Sequence, residues 1–172
     1  APYARQLEIG LAVTHLSDQV NWGLYISNFM FLGGVAASAM ILVVASTLYG
    51  RAEVRPAIPI GVSLALASVV MGAMFVQADL GRPDRVWHLI PVIGVFYFPE
   101  SMLAWDVLAL NVYLVLSVVL AILVPFQRFR GAGAAGPLFP PWVGLVVIVA
   151  ILFLLVVEAC LFSGFIARPR WN

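Results

Sequence analysis

Long apolar runs alternate with short polar breaks along this chain, and the runs are alike in length. They cover about 22–49, 58–78, 102–126 and 142–166. Crossing ~30 Å of hydrocarbon at 1.5 Å of rise per residue takes roughly 20 apolar residues, so each run is long enough to span a bilayer. Lipid offers no partner to an open backbone, so each run must be a helix that satisfies its own N–H and C=O groups. The breaks at 51–56 and 127–141 hold Gly, Pro and Arg, while 80–100 is a longer connection that passes from polar to aromatic residues. Trp22, Trp105 and Trp142 stand near run starts, where amphipathic rings favour the headgroup zone. Ahead of the first run, Leu7, Leu11 and Leu16 lie among polar residues and predict a short helix resting on the interface over 1–19. The pattern predicts an all-α integral membrane protein with a single domain over 1–172, built as an antiparallel bundle of about four transmembrane helices.

Composition sharpens this. Of 172 residues, 63% are hydrophobic and 10% charged, with a mean hydropathy of +1.06. Soluble domains carry roughly a quarter charged residues, so this chain has too little polar surface to cover a core. All nine basic residues are Arg, scattered between apolar runs, and no basic stripe exists to follow nucleic-acid phosphates. Cys160 is the one cysteine, which removes disulfide frameworks, Cys-rich zinc sites and a protein-ligated iron–sulfur cluster. Neither His15 nor His88 falls within the middle of a run, so a b-type haem lacks a facing pair of axial ligands, and no metal site is expected.

An even number of crossings puts the N-terminus, the 80–100 connection and the C-terminus on one side, here called side A. Side A carries Arg5, Arg82, Arg85, Arg168 and Arg170 with several acids; side B carries Arg51, Arg55, Arg128 and Arg130 against Glu53 alone. The basic residues of side B lie in short, uncompensated loops, which places side B in the cytoplasm and side A outside.

Polar groups inside the runs are expensive and usually mark a pathway or a site. Asp106 lies about five residues, ~8 Å, inside the third run, and Glu158 about ten residues, ~15 Å, from Arg168. Asn28, Gln77, Asp79 and Asn111 share the same side A half. Two readings stay open: the groups tie helices together by hydrogen bonds, or the carboxyls of Asp106 and Glu158 carry protons for a site open to side A. Gly33, Gly34, Ala37 and Ser38 are read as a stripe that lets another helix approach closely. In the connection, Asp79, Arg82, Asp84, Arg85 and His88 crowd around Gly81 and Pro83. They either interlock as a structural loop or form a site for a quinone head, with His88 or Arg82 donating to a carbonyl, Asp79 or Asp84 exchanging a proton, and aromatic neighbours covering the ring. His15 is read as an interfacial histidine.

Three segments carry a family resemblance: VNWGLYISNFMFLGGVAASAMILV from Val20, MFVQADLGRPDRVWHLI from Met74 and FPESMLAWDVLALNVYL from Phe98. They resemble the NrfD/polysulfide-reductase-type integral membrane subunits and, within that family, the DsrP-like branch of sulfite-reduction-associated complexes; SGFIARPRWN near the end is similar to the same branch. The resemblance covers roughly 20–172, and DLGRP with its following His is its most specific part. It implies a quinone-interacting anchor (menaquinone or ubiquinone) with no haem or cluster of its own, serving electron transport in a respiratory chain. It further implies a bacterial or archaeal cytoplasmic (inner) membrane, a ferredoxin-like iron–sulfur partner on the periplasmic side, other membrane subunits and lipid around it, and a quinone site toward that side.

The positions that match are Asp79, Arg82, Asp84, Arg85 and His88, with Trp105 and Asp106. Asp79, His88 and Asp106 are expected to carry the acid–base chemistry, and Arg82, Asp84, Arg85 and Trp105 to bind. Asn28 as a binding group, and Glu158 with Asp106 as a proton path, enter on their depth and not on the family pattern. Members of the family carry a second helix bundle, so the chain is expected to correspond to the N-terminal half of one. It is not expected to be a complete enzyme alone. A structural anchor without a quinone site and a proton- or solute-conducting membrane protein are the alternatives.

Overall fold

The computed structural model describes residues 2–9, 23–79, 99–131 and 138–163. Five helices fall in these segments: α1 (Pro2–Ile9), α2 (Leu24–Leu48), α3 (Ile58–Asp79), α4 (Met102–Phe129) and α5 (Pro141–Ser163). A short 3-10 turn, Ala52–Ala57, leads directly into α3. Each of the four long helices is long and apolar enough to cross a bilayer, and no strand occurs among the described residues. The protein is therefore an all-α, multi-pass membrane bundle.

Local sequence explains where the helices stop. α2 gives way to Gly50 at φ 63°, the left-handed conformation that glycine adopts freely, and the Arg51 N–H then reaches back to the Ala45 carbonyl at 3.2 Å. α4 continues past Pro125 to Phe129, beyond the end at 126 that the pattern predicts, because Leu120 and Val124 on its inner face are 2% and 1% exposed and hold that turn in place. Gly131, at φ 78°, then ends it, with its N–H on the Arg128 carbonyl at 2.9 Å. α5 begins at Pro141, where a missing N–H costs nothing because the first turn leaves such groups unpaired anyway.

The helices close into a four-sided ring in which α2 and α4 each pack against both α3 and α5. Lipid tails are as apolar as the core, so packing and hydrogen bonds hold such a ring more than hydrophobic burial does. Glycines supply the close approach. A Cβ built on Gly61 of α3 would lie 2.8 Å from the Ala39 carbonyl oxygen of α2, and one on Gly144 of α5 would collide with the Thr47 hydroxyl. Across the diagonal, the fully buried Tyr113 of α4 donates its hydroxyl to the Ala36 carbonyl of α2 at 2.7 Å. Tyr113→Phe keeps the ring and removes only this bond, so it should lower stability by about 0.6 kcal/mol and no more than about 1.7. Denaturant unfolding in detergent micelles measures it; no change would mean the bond contributes nothing to the closed ring.

The small-residue stripe splits in two. Gly33 and Ala37 turn inward, whereas Gly34 and Ser38 line an outward groove of about 680 Å³ with Met30, Phe31, Leu42 and Leu64. At side B, Tyr49, Phe129 and Trp142 are exposed and form an aromatic belt. There Arg128 donates to the Arg55 carbonyl at 2.6 Å, and Arg51 meets Glu53 at 4.0 Å. On side A, α1 is docked by Gln6, whose buried amide donates to the Ala78 carbonyl at 2.9 Å.

Candidate functional site

The side A half of the ring holds two acids facing inward. Asp106 sits one turn into α4 and is 2% exposed; Glu158 sits near the end of α5 and is 8% exposed. The helical phase of α4 that buries Ala104, Ala109 and Tyr113 also carries Asp106 inward, and that of α5 does the same for Glu158 alongside Leu154 and Val157. The two acids thus lie in the same half of the ring, on helices that pack against each other. Asp106 Oδ1 and Glu158 Oε1 have no hydrogen-bond partner among the described residues. An unpaired polar atom of this kind is rare in a folded interior and needs an explanation.

A third helix completes the site. The Glu158 carboxyl lies against Gly33 of α2, where a built Cβ would fall 2.6 Å from Oε1 and 3.1 Å from Oε2. Further toward side B the Tyr113 hydroxyl is engaged with Ala36, and Met40, Val43 and Leu154 follow, each fully buried. The acids thus sit above an apolar floor.

The other predicted groups fall around this pair in different ways. Trp105, next to Asp106, is half-buried, meets Phe153 edge-on at 6.3 Å and donates from Nε1 to the Pro99 carbonyl at 3.0 Å, which pins the 99–101 turn to α4. Asp79 is the last residue of α3 and half-buried. Asn28, also half-buried, stands in the first turns of α2, where Tyr25 packs on Phe75 of α3 at 6.3 Å.

Asn28 and Asn111 differ from the reading of them as ties between helices. Their amides donate to carbonyls of their own helices, Leu24 and Val107, each at 2.7 Å. Asn111 is exposed, and Asn28 half so, so the carbonyl four residues back is the acceptor within easiest reach. Gln77 is exposed. Arg82, Asp84, Arg85, His88 and His15 lie outside the described residues. Among the described residues no three His, Cys, Asp or Glu side chains gather as they would around a metal ion.

Gly33 is the contributor that sequence reasoning did not assign to a site. Its smallness was legible, but a carboxyl head filling the space beside it was not.

Comparison with known proteins bears on what such a bundle belongs to. The family model described as polysulphide reductase, NrfD, matches residues 12–172. A selenate reductase subunit of Mesobacillus selenatarsenatis is 26% identical over 113 residues, which is 66% of this chain and 26% of that relative. A protein of Halobacterium salinarum described as a putative dimethyl sulfoxide reductase membrane subunit is 28% identical over 104 residues, 60% of this chain and 23% of its own length. The chain spans about a quarter of the length of these curated relatives. No solved structure matches it.

Proposed function

The chain belongs to the polysulphide reductase NrfD family, and from that premise we propose that it is the quinone-interacting membrane anchor of a respiratory iron–sulfur oxidoreductase complex. The observation that carries the reading is the buried acid pair, Asp106 and Glu158, with carboxyl oxygens left unpartnered among the described residues beside the side A end of the bundle. Oxygens of this kind fit proton exchange with a dihydroxy-aromatic substrate. The similarity to a selenate reductase subunit and to a dimethyl sulfoxide reductase membrane subunit supports a place within a reductase complex.

A membrane quinol, menaquinol or ubiquinol, supplies two electrons and two protons on oxidation. Asp79 and Asp106 accept protons, His88 hydrogen-bonds the head, Arg82, Asp84 and Arg85 help to bind it, and Trp105 offers a ring face. Asn28 adds an amide at the rim. Protons leave toward side A, taken as the periplasmic face of the cytoplasmic membrane. Electrons go to the nearest cluster of a ferredoxin-like iron–sulfur protein docked on that side, and other members of the complex complete the enzyme.

Quinone binding by the purified complex tests this. His88→Ala and Asp79→Asn should each weaken quinone binding and quinol oxidation by at least roughly tenfold, about the loss of one hydrogen bond to a charged partner, while the make-up of the complex stays unchanged. Wild-type binding and turnover in both variants would remove the site from this connection and leave a structural anchor.

A further inference from the structure

Two buried acids and a buried glycine come from three helices of one ring, and among the described residues no cation stands beside them. Asp106 comes from α4, Glu158 from α5 and Gly33 from α2. The basic residues among the described ones lie elsewhere, Arg5 on α1 and Arg51, Arg55, Arg128 and Arg130 at side B. The remaining described titratable groups on the packed helices do not offer a counter-charge either. Tyr25, Asp79 and Glu100 stand at the side A helix ends, Tyr49 is exposed at side B, Cys160 is exposed, and the Tyr113 hydroxyl is bonded to Ala36. Two carboxylates buried with no cation among the described residues beside them would suffer desolvation and repulsion, whereas a proton held between them removes one charge and creates a donor for the orphaned oxygens.

We infer that Asp106 and Glu158 form one proton-holding site within the bundle and that Gly33 is its positioning residue. The inference deepens the quinone-anchor reading and rests on it for the link to turnover alone. A Cβ at position 33 would lie 2.6 Å from Oε1, 3.1 Å from Oε2 and 3.2 Å from Cδ of Glu158, so the carboxyl head occupies the space that a side chain on α2 would take. What such a Cβ meets is the far end of a flexible side chain, not backbone. Alanine at 33 therefore moves the carboxyl and leaves the helices in place. Shortening Glu158 to aspartate withdraws the carboxyl toward α5 and reopens that space, so the two changes compensate each other.

A hydrophobic carbodiimide reads the site without reference to activity. The O–H of a carboxylic acid adds across the reagent's N=C bond, the proton going to nitrogen and the oxygen to carbon, and rearrangement to the N-acylurea leaves the whole reagent attached. An ionised carboxylate has no proton to deliver and does not react this way. The full complex in native membranes is treated with dicyclohexylcarbodiimide, and this chain is analysed by intact and peptide mass spectrometry.

Within the bundle one adduct per chain is expected, on Asp106 or Glu158 and never on both. The volume-keeping double variant Asp106→Asn/Glu158→Gln should lose it. Gly33→Ala should label roughly fivefold less, within the coupling expected of residues in contact, and Gly33→Ala/Glu158→Asp should regain wild-type labelling. Adducts on both acids of one chain, none on either acid, or an unchanged count in the double variant would overturn the site. Wild-type labelling in Gly33→Ala, or no recovery in its double variant, would overturn the positioning role. Quinol oxidation measured in parallel separates the two readings, since full turnover in Asp106→Asn/Glu158→Gln with this labelling pattern intact counts against the quinone site alone.

Discussion

Asp106→Asn lowers quinol oxidation by the assembled complex by roughly 10²–10⁴-fold, the range that one positioned acid–base group contributes. Asparagine keeps the size and planar shape of the side chain but cannot take up and release a proton at ordinary pH. Asp106 is 2% exposed and its Oδ1 has no hydrogen-bond partner among the described residues, so the substitution breaks no described bond at that atom and removes a buried ionisable group. Complex yield and thermal stability should therefore stay near wild type, within the spread of about 1 kcal/mol expected of a mild core substitution. Steady-state quinol oxidation, normalised to complex content by mass, is the measurement. Full turnover in Asp106→Asn would exclude this carboxyl from the proton chemistry and assign it to helix packing.

Gly61→Leu should prevent the ring from closing, at a cost of about 3 kcal/mol, the upper end of what overpacking does to a tight interface. The obstacle is backbone. A Cβ at 61 meets the Ala39 carbonyl oxygen at 2.8 Å, and that carbonyl is held within α2 and cannot rotate aside. Leu42 Cδ1, also at 2.8 Å, has some freedom to turn, but the backbone contact forces α3 away from α2. Ile58, Val62 and Ala65, between 0% and 1% exposed on the same face of α3, then lose their contacts as well. Gly34→Leu is the control, because its Cβ meets nothing within 4 Å among the described residues and it faces the outward groove. Thermal unfolding of the purified protein in detergent should show a large loss for the first and almost none for the second. Equal losses would mean that glycine at 61 matters through backbone conformation and not through the approach of α2.

The contrast within one pair of glycines shows where sequence reading ends. Gly33 and Gly34 are neighbours of one type in one apolar run, yet one cradles a carboxyl and the other lines the outside of the ring. Asp106 and Asn111 lie five residues apart on α4, and both read as polar groups within a span. The structure turns Asp106 inward and leaves Asn111 exposed, bonded to its own helix. In a soluble helix, alternation of apolar and polar residues tells which face is inside. In these helices both lipid and core are apolar, so that phase signal is nearly absent.

The sequence by itself determined that this is a helical membrane bundle, because a bilayer demands apolar runs of a set length and forbids an open, unpaired backbone from spanning it. It also determined that Asp106 and Glu158 lie within the side A half, since depth along a helix follows from counting residues. Only the tertiary structure decided that both acids turn into the interior of the ring, on the packed helices α4 and α5, and that Gly33 makes the room for one of them. Which faces meet depends on close packing between helices of almost uniform hydrophobicity, and shape at that scale is a property of the assembled ring, not of any one run.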